Sequence, residues 1–173
     1  MDIQHFRVKL FATPDSHPRV GDAIPVFHRW IQEGRVPERT IDVSDYEHVP
    51  NGPGVILVCH EAIYGLDHGK GRLGLLYNRR TVLDGSVEDR LRQAVTAAEA
   101  AAAQLEKEPE FAGKLRFDRK SWEVAVNDRA LAPNTEETWT ALSPVIQKVF
   151  AGYRMERASD PRELFQVFLK EGQ

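Results

Sequence analysis

The chain has 173 residues, 42% of them hydrophobic and 28% charged, with a formal net charge of -3 and a pI of about 6.1. This is a globular composition, which excludes a disordered chain, and its acidic balance argues against a nucleic-acid binder, which needs a basic face for phosphates. A single cysteine excludes an intrachain disulfide and a cysteine-built zinc cage, and no window approaches the roughly 18 apolar residues of a membrane-spanning helix.

The opening MDIQHFRVKLFAT lacks the apolar core of a signal peptide, so the expectation is a cytoplasmic protein forming one domain over residues 1–173. Phe6 to Phe11 alternates apolar with basic residues, which predicts a half-buried strand with one wet face. Asp22 is placed to cap a helix with Pro25 in its first turn and Gly34 at its C-cap. Ile24, Phe27 and Ile31 make its apolar stripe.

The stretch from Arg39 to Arg80 holds the most hydrophobic run, Val55 to Cys59, just after Pro53 and Gly54. A run this short fits a strand buried on both faces. Thr40 to Ser44 and Arg72 to Asn78 read as flanking strands, with turn residues at 50–53 and 65–71 between them. A tight turn centred on Asn51-Gly52 would set His60 opposite Val43 and Asp42 opposite Glu61, a repulsive pair. The two flanking prolines, Pro50 and Pro53, favour a longer loop.

Ser86 to Asp89 is a capping box opening the longest helix, which carries Val87, Leu91, Val95, Ala98, Ala102 and Leu105 at steps of three and four. Its alanine run, Ala100 to Ala103, allows close packing against another backbone. Residues 114–118 and 122–127 predict a hairpin. Asn134 is placed to cap a short helix, and Ser143-Pro144 reads as a fresh helix start. Tyr153 to Arg157 predicts an edge strand, and Asp160 a cap for a last helix carrying Leu164, Phe165, Phe168 and Leu169. The order is βα-βββ-α-ββ-αα-β-α. That is an α+β pattern: a mixed, largely antiparallel sheet of about five to seven strands with helices packed on it.

No Walker loop, G-x-S-x-G or H-E-x-x-H is present, and no cofactor is identified. Cys59-His60-Glu61 puts polar groups at a buried strand's tip, where His60 and Glu61 could act as acid and base. Neighbours on a strand point to opposite faces, so Cys59 and His60 do not meet, and Cys59 reads as a core residue. His48, His60 and a carboxylate could ligate a metal, but their spacing is not that of a ligand set, and no metal is expected. Asn78, Arg79 and Arg80, with Tyr77, Lys70 and Arg72, suit an anion. Tyr46, His48, Tyr64, Asp67 and His68 lie in the loops and strand ends around the same strands.

The leading expectation is therefore a small polar or anionic ligand bound at the loop edge of the central strands, with His60, Glu61 and Arg79 converging on one cleft. The competing reading makes Glu61 a structural ion-pair partner. An enzyme using His60 and Glu61, and a homodimeric interaction protein without catalysis, are the alternatives. Neither a nucleic acid nor a membrane is expected as a partner.

Overall fold

A computed structural model describes residues 1–172. The elements are β1 (Phe6–Ala12), α1 (Ala23–Glu33), β2 (Thr40–Tyr46), β3 (Gly54–Cys59), β4 (Ala62–Asp67), β5 (Gly74–Arg79), α2 (Val87–Lys107), β6 (Phe117–Val126), α3 (Glu136–Val149), β7 (Tyr153–Arg157) and β8 (Gln166–Glu171). The fold is α+β. All eight strands join one sheet in the order β2-β3-β4-β5-β1-β6-β8-β7, and every pairing is antiparallel.

Side chains alternate between the faces of a pleated strand, and the register shows the consequence across the whole sheet. One row runs Val43, Leu57, Tyr64, Tyr77, Val8, Val124, Val167 and Arg157, one residue from each strand. This row lies on the face covered by the helices. Phe27 and Trp30 of α1, Leu91, Ala98 and Leu105 of α2, and Leu142 and Ile146 of α3 all belong to the core built on it. The next row runs Ser44, Ile56, Gly65, Leu76, Lys9, Glu123, Phe168 and Glu156 on the face that carries no helix. Among the described residues, no helix is long and apolar enough to cross a membrane.

The helix over β1 and β5 is α2. Its cap is the expected box, with Ser86 accepting from the Asp89 N–H and the Asp89 carboxylate accepting from the Ser86 N–H. The alanines at 94, 98, 101 and 102 are buried, so this chain's own sheet covers most of the smooth surface. Gly34 closes α1 in the left-handed conformation at φ 62, which glycine adopts without strain.

Several elements depart from expectation. Among the described residues the strand count is eight rather than five to seven, and the sheet is wholly antiparallel rather than mixed. Residues 60–67 were expected to form a strand tip and a loop, but Ala62–Asp67 is β4, joined to β3 by a turn at His60 and Glu61. Gly65 hides that strand in the sequence, since glycine is a poor strand former. Here it faces Ile56, whose Cγ2 would lie 3.2 Å from an added Cβ. The β2–β3 connection is the longer loop, setting Val43 opposite Leu57.

The expected hairpin at 114–127 is one ten-residue strand, β6. The two expected helices at 134–150 are one, running through Pro144 because Leu142 and Ile146 anchor it on the core. The expected last helix is strand β8. Its short apolar run fits both periods, and pairing with β6 on one side and β7 on the other decides for the strand. Asp22 makes no side-chain cap, because a 3-10 turn over Val20–Asp22 leads directly into α1. Thr135 rather than Asn134 caps α3. The Asn134 amide instead donates to the carbonyls of Ala158 and Asp160, both at 2.9 Å, and pins that loop.

Leu57 is completely buried on the helix-covered face. Leu57→Asp is expected to abolish soluble expression, because an unpaired buried charge costs several kcal/mol. Leu57→Met should express and melt within a few degrees of the parent, and normal yield of the aspartate variant would contradict this placement.

Candidate functional site

The residues singled out in the sequence separate to two ends and two faces of the sheet. His60, Glu61, Arg79 and Arg80 gather at the β3–β4 turn. There Glu61 Oε2 accepts the Arg39 N–H at 2.8 Å, and the Glu61 carbonyl accepts the Arg80 N–H at 2.8 Å. The Arg39 hydrogen bond holds the Glu61 carboxyl below its ordinary range, helped by the charges of His60 and Arg39. His60 Nδ1 stands 3.8 Å from Glu61 Oε1. Arg79 donates to the Thr81 carbonyl at 3.1 Å and Arg80 to the Cys59 carbonyl at 3.0 Å. This corner is knitted together through main-chain groups.

Tyr46 and His48 are exposed at the opposite end, in and beside the β2–β3 loop. The length of β3 separates His48 from His60, about 16 Å along a strand of that span. Among the described residues, no group of three or more His, Cys, Asp and Glu is placed to hold a metal ion. Asp67 shares the far end, where its Oδ1 accepts Lys9 Nζ at 2.8 Å and the Gly69 N–H at 2.7 Å. Asn78 lies on the helix-free face, its buried Oδ1 without a partner.

Gly69 to Gly74 spells G-x-G-x-x-G. The motif carries dinucleotide chemistry only where a strand runs into a helix. Here it bridges two antiparallel strands, β4 and β5, so it is not that fingerprint.

Tyr64 and Tyr77 are buried on the helix-covered face, and they lead to a group the sequence reading missed. After α1, the segment Val36-Pro37-Glu38 passes beside α2 on its way to β2. Glu38 is only 8% exposed. Its Oε2 accepts the Tyr64 hydroxyl at 2.7 Å and its Oε1 the Tyr77 hydroxyl at 3.1 Å. Gln93 Nε2 of α2 donates to the Tyr77 oxygen at 2.9 Å. The two tyrosines are cross-strand partners packed edge to face, centroids 5.0 Å apart. Burial pushes both hydroxyls above their usual range, and at Tyr64 the hydrogen bond to Glu38 adds to it and the shift is large. They therefore stay protonated and donate to the carboxylate, which is how a buried acid is kept satisfied.

Glu38 gave no signal in the sequence, being one charge in a charged loop. Tyr64 and Tyr77 did carry one. A tyrosine on a buried strand face needs a partner for its hydroxyl, and two such tyrosines called for an acceptor between them.

Against this cluster lies a cavity of about 450 Å³, lined by Tyr64, by Val36 and Pro37, and along α2 by Gln93, Thr96, Ala97, Ala100, Ala101 and Gln104. Arg35, Arg92 and Asp89 also line it, the two arginines with side chains 54% and 51% exposed and paired with Glu33 and Glu88. Comparison with models of known protein families and with curated proteins finds no match.

Removing the Tyr64 hydroxyl leaves Glu38 with one donor. Tyr64→Phe is expected to lower stability to urea by about 1–3 kcal/mol. Because both tyrosines ionise later in the fold than in the open chain, their contribution is complete below about pH 10 and is lost as pH rises beyond it. Melting temperature should therefore fall above that pH, and less steeply in the variant. Equal stability of the two proteins would remove Glu38 from this role.

Cys59 is fully buried. Burial, with the charges of Glu38 and Glu61, pushes its thiol up to about 12. A thiol reagent at pH 8 should label it slowly in the native protein and at once in denaturant, since the thiolate is the reactive form. Rapid native labelling would show that β3 opens.

Proposed function

We propose that this is a small-molecule binding protein whose ligand sits in the cavity between α2 and the 35–38 segment. The ligand has an apolar body and a polar or anionic end. The observation that carries this reading is the cavity's shape and lining. A volume of about 450 Å³ falls in the range of small-molecule sites, which are mostly apolar with a few placed polar groups. The small residues of α2 keep it open. Leucine at position 97 would fill apolar space that is otherwise unoccupied, and filling such space ordinarily adds stability.

The Tyr64–Glu38–Tyr77–Gln93 chain makes one wall rigid, because each side chain in it is held by the next. Arg35 and Arg92 are paired with Glu33 and Glu88 at the exposed rim, and in this reading they exchange those partners for a carboxylate or sulfonate, which guanidinium groups bind as a fork, placed away from Asp89 of the same wall. In this reading, the polar or anionic ligand expected from the sequence is the charged end of a largely apolar molecule.

The test uses 1-anilinonaphthalene-8-sulfonate as a fluorescent probe and decanoate and decan-1-ol as competitors. The native protein should bind the probe saturably at one site. Ala97→Leu should weaken binding at least about tenfold while holding or raising the melting temperature. The double variant Arg35→Ala, Arg92→Ala should weaken decanoate more than decan-1-ol. Absence of saturable binding, or equal binding by Ala97→Leu, would overturn the proposal.

A further inference from the structure

The helix-free face of the sheet carries charge where a bare sheet surface would be merely wet. Lys9 is 5% exposed and Glu123 7%. Lys9 runs across Gly74, where an added Cβ would stand 2.9 Å from the Lys9 Cγ and Cε atoms. A side chain at 74 would crowd this path, along which the ammonium reaches Asp67 at 2.8 Å. Arg7 pairs with Glu123 at 3.0 Å, and Lys70 reaches Glu163 at 2.6 Å, joining the loop after β4 to the segment before β8.

These groups surround two adjoining hollows of about 150 and 240 Å³, with Arg7, Lys70 and Gln166 in the wall of both. Gln166 and Arg7 are the informative residues of that shared wall. Gln166 is 3% exposed and lines both hollows, yet among the described residues its side-chain amide has no hydrogen-bond partner. In the same wall the Arg7 Nε is buried without a hydrogen-bond partner, and an unpaired buried donor costs about 1–3 kcal/mol, so the wall calls for an acceptor that completes it.

The charge count gives the ligand's class. Arg7, Lys9, Lys70 and Arg129 supply four cations, and Asp67, Glu123 and Glu163 three carboxylates. Three ion pairs use all three acids, and Arg129 is left without a partner among the described residues. The Lys9 ammonium spends one of its three donors on Asp67. Donors and positive charge are in surplus.

We propose that this pocket binds a compact oxyanion, a phosphoryl or carboxylate group of a small polar molecule, held by the Gln166 amide, Lys9, Arg7 and Arg129. It lies on the face opposite the α2 cavity and rests on different residues, so the two proposals stand or fall separately.

The experiment is calorimetric titration of the full chain with sodium phosphate and, separately, sodium acetate at low ionic strength. Phosphate or acetate should bind the native protein saturably, and whichever binds tighter identifies the oxyanion. Gln166→Leu keeps the volume and removes the amide. It should weaken binding about tenfold without lowering the melting temperature, because the amide makes no hydrogen bond within the described residues that the substitution could remove. Arg129→Ala, at an exposed position, should weaken binding several-fold with stability unchanged. Lys9→Met serves only as a control for folding, since it strands Asp67. If neither anion binds, or if Gln166→Leu and Arg129→Ala bind as the native protein does, the pocket is a structural ion-pair network and the proposal fails.

Discussion

Strand β1 holds the two halves of this molecule together. It pairs with β5 on one side and β6 on the other, so the meander β2–β5 and the trio β6, β8 and β7 share a sheet only through it. Its pleat is also the dividing line of the protein. Phe6, Val8 and Leu10 point into the helix-covered core at 1% exposure or less, while Arg7 and Lys9 point to the other face. A shift of one residue would exchange the two sets and bury two cations under α2, so the register is strongly enforced.

The two cavities follow from that division. On the helix side, α2 crosses β1 and β5 with alanines against the sheet. Small side chains let the helix come close along one line and leave space along another, beside Val36 and Pro37. On the other side no helix covers the strands. The charges projected by β1 are covered instead by their own ion-pair partners and by the loops carrying Lys70 and Glu163. Both arrangements keep polar groups out of water at a cost that packing alone does not require. Glu38 is held by two neutral hydroxyls, and the buried Arg7 Nε has no partner among the described residues.

The residues with the richest side chains in the sequence have turned out to be busy with the backbone. Glu61, Arg79 and Arg80 each hold a main-chain group near the β3–β4 turn. Turns expose peptide N–H and C=O groups that the ladders leave unpaired, and charged side chains close by are recruited to satisfy them. A charged residue at a strand end therefore has a structural employment whose extent only the folded geometry shows.

By itself the sequence determined the local grammar. Alternation marked β1, β2 and β5, and Tyr153 to Arg157 read as the edge strand that is β7. The capping box and Gly34 bounded α2 and α1, and the apolar run from Val55 placed a strand buried on both faces. These signals depend on neighbours within a few residues, and local sterics and burial decide them. Tertiary structure decided the rest. The Phe165 to Leu169 run satisfied both a helix and a strand, and only two waiting partner strands made it β8. Ala62 to Asp67 became a strand because β3 and β5 bound it on both sides. The candidate sites lay furthest from view. Glu38 meets Tyr64 and Tyr77 from 26 and 39 residues away, and Lys9 meets Asp67 from 58. Contacts at such separations are set by strand register and by the path of α2, which no local pattern in the chain encodes.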